Sequence, residues 1–410
     1  MLRCLHERIQ QQVEATADTV GAKAVIDPSL LDEVTALVEW PVTLVGKFEE
    51  RFLEVPQEAL ISTMQDNQKY FPVVDSLGTL KPYFITVSNI ESQDPQKVIQ
   101  GNERVVRPRL ADAAFFWDQD RKQPLENRLE ALKDLPFQTK LGTLDEKMLR
   151  VKALSGQIAS QIGADQVQAE RAATLAKCDL MTDMVFEFPE MQGIAGRYYA
   201  LNDGEPKAVA MAVEQHYQPK QAGDDLPEGG VAQSLALADK LDTLAGIFGI
   251  GMKPTGTKDP FALRRAGLGV LRILIEGQLD LDLEALLQDA GKGLGDKVES
   301  ADAINDCFEY VLERLKAYYQ DRGISVDVID AVMAQRPTRP LDFDHRVRAV
   351  EAFRALPEAE SLAAANKRIH NILRKAEGKL PGHVDVGLLR DAAERALATA
   401  TEDAATTVAP

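Results

Sequence analysis

The sequence predicts a mainly α-helical protein with a smaller α+β module near its N-terminus. Three observations predict it. Apolar residues recur at helical spacing through most of the chain beyond residue 136. β-Branched and aromatic runs with turn chemistry between them are confined to residues 42–90. The 410 residues are 45% hydrophobic and 27% charged, the balance of an ordinary globular chain.

Residues 1–38 read as two helices, broken at Asp27-Pro28 and ended by Trp40-Pro41. VTLVGKF, YFPVV and LKPYFITVSNI read as strands, with a turn at Asp75-Ser76-Leu77-Gly78 and a short helix from Pro56 to Gln65. From Asp94-Pro95 the chain turns helical, with Lys97, Gly101 and Arg104 along one face. Arg107 and Arg109 extend the positive charge, and Ala114, Phe115 and Phe116 form an apolar end. This helix either packs on the sheet with its arginines paired to acids, or presents them to phosphates. After a charged connector, helices are expected at about 143–162, 167–188, 190–201, 206–217, 231–248, 260–276, 282–290, 301–322 and 325–335. Thr143 and Glu146 form a capping-box pattern. Residues 218–230 make a polar loop rich in Gly and Pro. Arg336 to Pro340 is a boundary candidate, followed by helices at about 341–355, 358–376 and 385–400 and a fraying tail. There is no internal repeat.

The stretch from Leu235 to Glu276 organises the rest. Leu237, Leu241, Leu244, Ala245 and Phe248 make a core stripe, and Asp239 and Asp242 fall together on the opposite side. The connector GIGMKPTGTKDP leads to a second helix, which Asp259 can cap and whose first turn Pro260 suits. There Leu263, Ala266, Val270 and Leu274 point inward while Arg264, Arg265 and Arg272 cluster elsewhere. With Lys253 and Lys258 this is a candidate anion site; the alternative is a structural loop with solvated arginines. The connector is not a P-loop, because Gly251 to Gly256 is followed by Thr257 before Lys258. It is not a dinucleotide fingerprint either, because Pro254 stands where a third glycine is needed.

Net charge is −17, which argues against a non-specific nucleic-acid coat but leaves room for local basic islands. Cys4, Cys178 and Cys307 are odd in number and far apart, as expected in a reducing cytoplasm and not in a Cys-rich zinc module. No apolar run is long enough to span a bilayer, and MLRCLHERIQQQVEA lacks the apolar core of a signal peptide.

Three constellations could carry chemistry. Lys177-Cys178-Asp179 on one helix and Asp239 in an A-D-x-L context on another resemble the layout of HD-type phosphohydrolases, but the histidine is absent. A lysine disfavours a second cation, and Cys with one Asp suits a hard metal poorly, so the frame is expected to be a degenerate HD-like site without metal. His216 in EQHYQP reads as a capping or packed residue, and Glu187, Glu190 and Gln192 as a ligand group or a helix corner. In ANKRIHNILRK, Ile369, Ile372, Leu373 and Ala376 are expected to face inward, with Lys367, Asn371, Arg374 and Lys375 outward. Amides and cations on one face suit single-stranded bases and phosphates; the alternative is a solvated face.

Taken in order, several long segments resemble the beta-subunit family of bacterial heterotetrameric glycyl-tRNA synthetase. They are LVEWPVTLVGKFEERFLEVPQEALISTMQDNQKYFPV, GNERVVRPRLADAAFFWDQD, FQTKLGTLDEK, FEFPEMQGIAGRYYA, EQHYQP, ADKLDTLAGIFGIGMKPTGTKDPFALRRAGLGVLRIL and ANKRIHNIL. The resemblance covers about Leu30 to Leu373. It implies an α+β module with flanking helices at 1–135, similar to one in the phenylalanyl-tRNA synthetase beta chain. It implies an HD-like all-helical domain at 136–336 and a partial helical anticodon-binding domain at 337–410, similar to that of arginyl-tRNA synthetase. It implies that tRNA(Gly) is a partner and that ATP, Mg and glycine belong to a separate alpha subunit, in a cytoplasmic assembly of two alpha and two beta chains. This chain would then hold no cofactor and would not be catalytic alone. On this reading the tRNA-contacting candidates are Arg104, Arg107, Arg109, Lys253, Lys258, Arg264, Arg265, Lys367, Arg368, Asn371 and Arg374. The family's chain is longer at both ends, so this one is expected to be a fragment or a truncated product. The rival readings are a free-standing HD-type metal-dependent phosphohydrolase and a helical scaffold without RNA.

Overall fold

The computed structural model describes residues 2–255, 258–300, 302–375 and 384–407. Gly256, Thr257 and Ala376 lie outside them. The chain forms two compact units, Met1–Val347 and Arg348–Pro410.

The first unit opens with α1 (Leu2–Asp18), the short strand β1 (Lys23–Ala24) and α2 (Pro28–Leu37). Asp27 caps α2 by accepting from Ser29 N and Leu30 N, with Pro28 at the first helical position. Next come β2 (Val42–Lys47), α3 (Gln57–Ser62), a π-helical turn at Thr63–Asn67, β3 (Phe71–Val74) and β4 (Leu80–Ser88). The four strands form one antiparallel sheet in the order β1-β3-β4-β2. Asp75 closes the β3–β4 turn by accepting from Leu77 N and Thr79 N, and Gly78 supplies the positive φ. Ile9 and Val13 of α1 and Leu30, Leu31 and Val34 of α2 pack with Phe71, Val73 and Ile85 of the sheet into one core. Gly46 faces Phe84 across the β2–β4 pair, and a Cβ there would lie 2.4 Å from the ring.

The long helix α4 (Pro95–Asp120) packs beside β2, where Glu103 accepts from Lys47 N and Asn102 accepts from the Tyr70 hydroxyl at 2.6 Å. A 3₁₀ segment, Leu125–Lys133, and the two-stranded ribbon β5 (Pro136–Gln138) and β6 (Gly142–Thr143) lead into the helical body.

That body contains α5 (Leu144–Gln161), α6 (Gln166–Leu175), α7 (Asp183–Glu187), α8 (Ile194–Asn202), α9 (Lys207–Gln215), α10 (Gly229–Gly249) and α11 (Leu263–Glu276). It continues with α12 (Leu283–Leu294), α13 (Asp302–Gln320), α14 (Val326–Met333) and the start of α15 (Pro340–Arg354), whose last residues belong to the second unit. Thr143 caps α5 through Glu146 N, as the capping box predicts. The Glu146 carboxylate, however, turns to Lys297 rather than back to the cap. α10 is apolar almost all round and is packed by α5, α6, α9, α11, α12 and α13.

Two expectations are corrected. The single helix expected at 167–188 is three pieces, because the chain leaves α6 at Leu175, makes a 3₁₀ turn at Cys178–Met181 and restarts where Thr182 caps α7. The second helix of the central pair begins at Leu263, three residues after Pro260. Asp259 still caps it, accepting from Leu263 N and Arg264 N. Residues 336–340 are tied back to the body: Thr338 O accepts from Leu283 N, and its hydroxyl donates to Asp282.

In the second unit α16 (Ala359–Leu373) is followed by α17 (Ala392–Thr407). Ile369, Ile372 and Leu373 are 51%, 59% and 46% exposed, which corrects the inward stripe expected there. Helical spacing aligned them, but nothing among the described residues covers them.

Candidate functional site

The helical body holds a buried polar cluster where the α6–α7 corner, the end of α9 and the middle of α10 meet. Lys177 follows α6, His216 ends α9, and Asp239, Lys240 and Asp242 stand on α10. α5 contributes Lys147 and Arg150, which the sequence did not mark. The Lys147 ammonium lies 3.0 Å from Asp239 Oδ1 and 3.2 Å from Asp242 Oδ2, and it donates to Thr243 Oγ1 at 3.0 Å. Arg150 grips Asp242 with two bonds of 2.7 and 3.1 Å. The two aspartates are therefore neighbours, as their spacing predicts, but both are engaged by α5, and only Asp239 is partly exposed, on the cavity side. A residue ninety-five positions away gives no local pattern to reveal that.

Lys177 lies 3.7 Å from Asp239 Oδ2, donates to His216 Nε2 at 2.7 Å and stands 3.8 Å above the Tyr217 ring. His216 Nδ1 donates to Val213 O, which fixes the tautomer that leaves Nε2 as acceptor. Lys240 donates to His216 O and Gln218 O and so holds the turn after α9. Gly193 is required at the 188–193 corner: its φ is +87°, its N–H donates to Asp179, and a Cβ would meet the Tyr217 ring at 2.9 Å.

Burial and charge set the protonation states. Burial pushes the Asp239 carboxyl up, but the ammonium groups of Lys147 and Lys177 outweigh it and hold that acid well below the usual range. Burial pushes Lys177 down despite Asp239, and pushes Lys240 down to about 8. Burial and the nearby Lys177 keep His216 neutral. Lys147 titrates above its ordinary value, because Asp239 and Asp242 overcome its burial. The result is an ionic network in which Asp239 and Asp242 are each held by two cations. Among the described residues no group of three or more His, Cys, Asp or Glu is placed to hold a metal ion.

Of the predicted set, Lys177 and Asp239 come together at 3.7 Å, and Lys177 also acts on the Asp179 carboxylate. The Cys178 thiol donates to Thr174 O at 3.6 Å, and burial together with the nearby Asp179 carboxylate lifts it to about 12. Asp179 is wholly buried, and its Oδ1 has no hydrogen-bond partner among the described residues. Burial raises its carboxyl to about 6, against the pull of the Gly193 N–H. An acid whose folded pKa is raised binds its proton more tightly when folded, so its contribution is complete below about pH 4 and is lost as pH rises to about 6. Asp179→Asn, which mimics the protonated acid, should remove that fall. Relative to the parent, the variant should gain up to about 3 kcal/mol between those pH values. Parallel profiles of unfolding free energy against pH for the two proteins would contradict the assignment.

Above the cluster lies a cavity of about 520 Å³. His216, Tyr217, Asp239, Lys240 and Thr243 line it on one side; Phe261, Ala262, Arg265 and Ala266 line it on the other.

The basic islands are dispersed. Arg104, Arg107 and Arg109 are exposed on α4, with Arg107 paired to Glu49 at 2.8 Å and Arg109 lining a hollow with Asp66, Asp112 and Glu190. Lys253 pairs with Asp306, Lys258 is exposed, and Arg265 reaches the carbonyl of Lys220 at 3.4 Å. Arg264, beside Arg265, is half-buried and also engaged. Lys367, Arg368, Asn371 and Arg374 are exposed in the second unit.

The fold and site together define a mainly helical protein with a small antiparallel sheet and a buried cluster of lysine–carboxylate pairs. Residues 5–334 match the family model described as glycyl-tRNA synthetase beta subunit. The chain is 57% identical over 404 residues to the glycine–tRNA ligase beta subunits of Pseudomonas aeruginosa (strain LESB58) and Chromohalobacter salexigens, in each case 98% of this chain and 59% of the relative. It is 56% identical over 389 residues to that of Pasteurella multocida, 95% of this chain and 56% of the relative. The chain belongs to the glycyl-tRNA synthetase beta subunit family, and it spans less than two thirds of the length of these curated relatives.

Proposed function

We propose that this chain is a tRNA-contacting part of the beta subunit of a glycine–tRNA ligase, an aminoacyl-tRNA synthetase of translation. The observation that carries the reading is family membership across residues 5–334. Its work is to hold tRNA(Gly) for a separate alpha subunit, which binds ATP, Mg and glycine, in a cytoplasmic assembly of two alpha and two beta chains. Among the described residues no helix is long and apolar enough to cross a membrane. Within the chain, 136–336 is read as the HD-like domain and 337–410 as part of an anticodon-binding domain. The hydrolase reading is disfavoured by Lys147 and Lys177, which put ammonium groups where it needs a divalent cation.

The RNA contacts are assigned to the islands on α4, at 253–265 and on α16. Lys258→Ala with Arg264→Ala should weaken tRNA(Gly) binding, and so should Lys367→Ala with Arg368→Ala. Each lost phosphate contact should lower the slope of log affinity against log salt by roughly 0.7 to 0.9. Anisotropy titrations across a salt series check this, with charge reversal at the exposed Asp225 as the control. Parent-like affinity and slope in both double variants would show that these islands are only solvated surface.

A further inference from the structure

We propose that the cavity between the turn after α9 and the start of α11 is a pocket for one unpaired nucleotide. Its base lies against Tyr217 and Phe261, and its phosphate lies toward Lys220 and Arg265. The first observation is shape. At about 520 Å³ the hollow falls within the range of small-ligand sites, roughly 300–1,000 Å³.

The second observation is what the two ends offer. Tyr217 and Phe261 contribute aromatic rings to the wall, and Pro189, Pro219 and Ala266 continue its apolar part. The Tyr217 ring is held rigidly, because its hydroxyl accepts from Gln192 at 2.6 Å and Lys177 supports one face at 3.8 Å. A fixed ring suits base stacking, which tolerates any base. Lys220 and Arg265 are exposed at the same cavity, joined by the 3.4 Å contact of Arg265 with the Lys220 carbonyl. Neither forms an ion pair among the described residues.

The third observation is charge. Two acids line the hollow, Asp239 and Glu190. Asp239 is neutralised by Lys147 from beneath, whereas Glu190 is exposed and, among the described residues, accepts only from the Ser62 hydroxyl, so its charge stands against the two cations Lys220 and Arg265. Lys240 adds an ammonium group at the floor. An aromatic slot with cations at its mouth and Asp239, Thr243 and Gln192 as polar contacts matches a base, a sugar and a phosphate together. A base paired in a duplex cannot enter such a slot, so an RNA occupant must be single-stranded at that point.

The pocket rests on the tRNA reading only for the source of the nucleotide, since a free nucleoside monophosphate carries the same chemistry. The test uses the full chain, a tRNA(Gly) transcript, a fully paired RNA duplex and adenosine 5′-monophosphate. Phe261→Ala should weaken tRNA binding about tenfold or more with an unchanged salt slope, because stacking is not ionic. Duplex binding should not change. Ala266→Phe, which fills the hollow from α11, should reproduce the loss, and Phe261→Tyr should restore affinity. Lys220→Ala with Arg265→Ala should instead lower the slope. Binding of the monophosphate that is lost in Phe261→Ala while tRNA binding is unmoved assigns the pocket to a free nucleotide. If the parent binds no tRNA, the functional reading falls and the monophosphate titration alone judges the pocket. If neither ligand responds to Phe261→Ala or Ala266→Phe, the pocket is overturned.

Discussion

Lys147→Met should destabilise the first unit by about 3–5 kcal/mol, because it removes one partner of a buried ion pair and strands the other. Lys147 is 3% exposed and is the near cation for both Asp239 and Asp242. Arg150 keeps Asp242 satisfied, so the damage falls on Asp239, left with Lys177 at 3.7 Å. The loss should shrink in mild acid, where the stranded carboxylate can take a proton. Adding Asp239→Asn should recover part of it, giving a coupling energy larger than additivity allows. Urea midpoints of the parent, two single variants and the double variant decide the matter. A loss below about 1 kcal/mol for Lys147→Met would mean that water reaches the cluster and the network is weaker than its geometry.

Asp120→Ala should cost a similar amount, about 3–5 kcal/mol, for a different reason. Asp120 ends α4 and is 3% exposed. It accepts from Arg128 at 2.9 Å, from the Tyr199 hydroxyl at 2.9 Å, and from Asp183 N and Met184 N at the start of α7. Removing it leaves a buried guanidinium, a buried phenol and the Asp183 and Met184 N–H groups without their acceptor, although Thr182 still caps Val185 N. Asp120→Asn keeps an acceptor and the side-chain shape but not the charge, so it should fall between parent and alanine. Equal urea midpoints for Asp120→Ala and the parent would show that the pair is replaceable.

The sequence was legible wherever the cause of a structure is local. Asp27-Pro28, Asp75 to Gly78, and Thr143 with Glu146 carry their own start and turn signals, and each lies where expected. The strands between 42 and 90 declared themselves by residue type, and α10 by its apolar periodicity. The break after α6 was readable in principle, since Thr182-Asp183 is a helix-start pair, but the apolar run around it masked the signal. The candidate site was legible only in part. Lys177, Asp179 and Asp239 follow from the order of segments, whereas Lys147, Arg150 and the seating of Asp242 depend on how α5 lies against α10. Tyr217 and Phe261 belong to one cavity only because the chain folds back between them. Period alone could not decide whether Ile369, Ile372 and Leu373 find a partner.

The wrapping of α10 also bears on how the chain is made. Its partners α5, α6 and α9 precede it in the sequence, whereas α11, α12 and α13 follow it. During synthesis α10 therefore emerges with half of its apolar surroundings in place. Roughly seventy more residues separate its end from the end of α13. At about 5–20 residues per second that interval lasts about 4 to 14 seconds. Through that time Phe248 waits for Tyr310 of α13, part of a stretch of greasy helix that nascent-chain chaperones are suited to shelter.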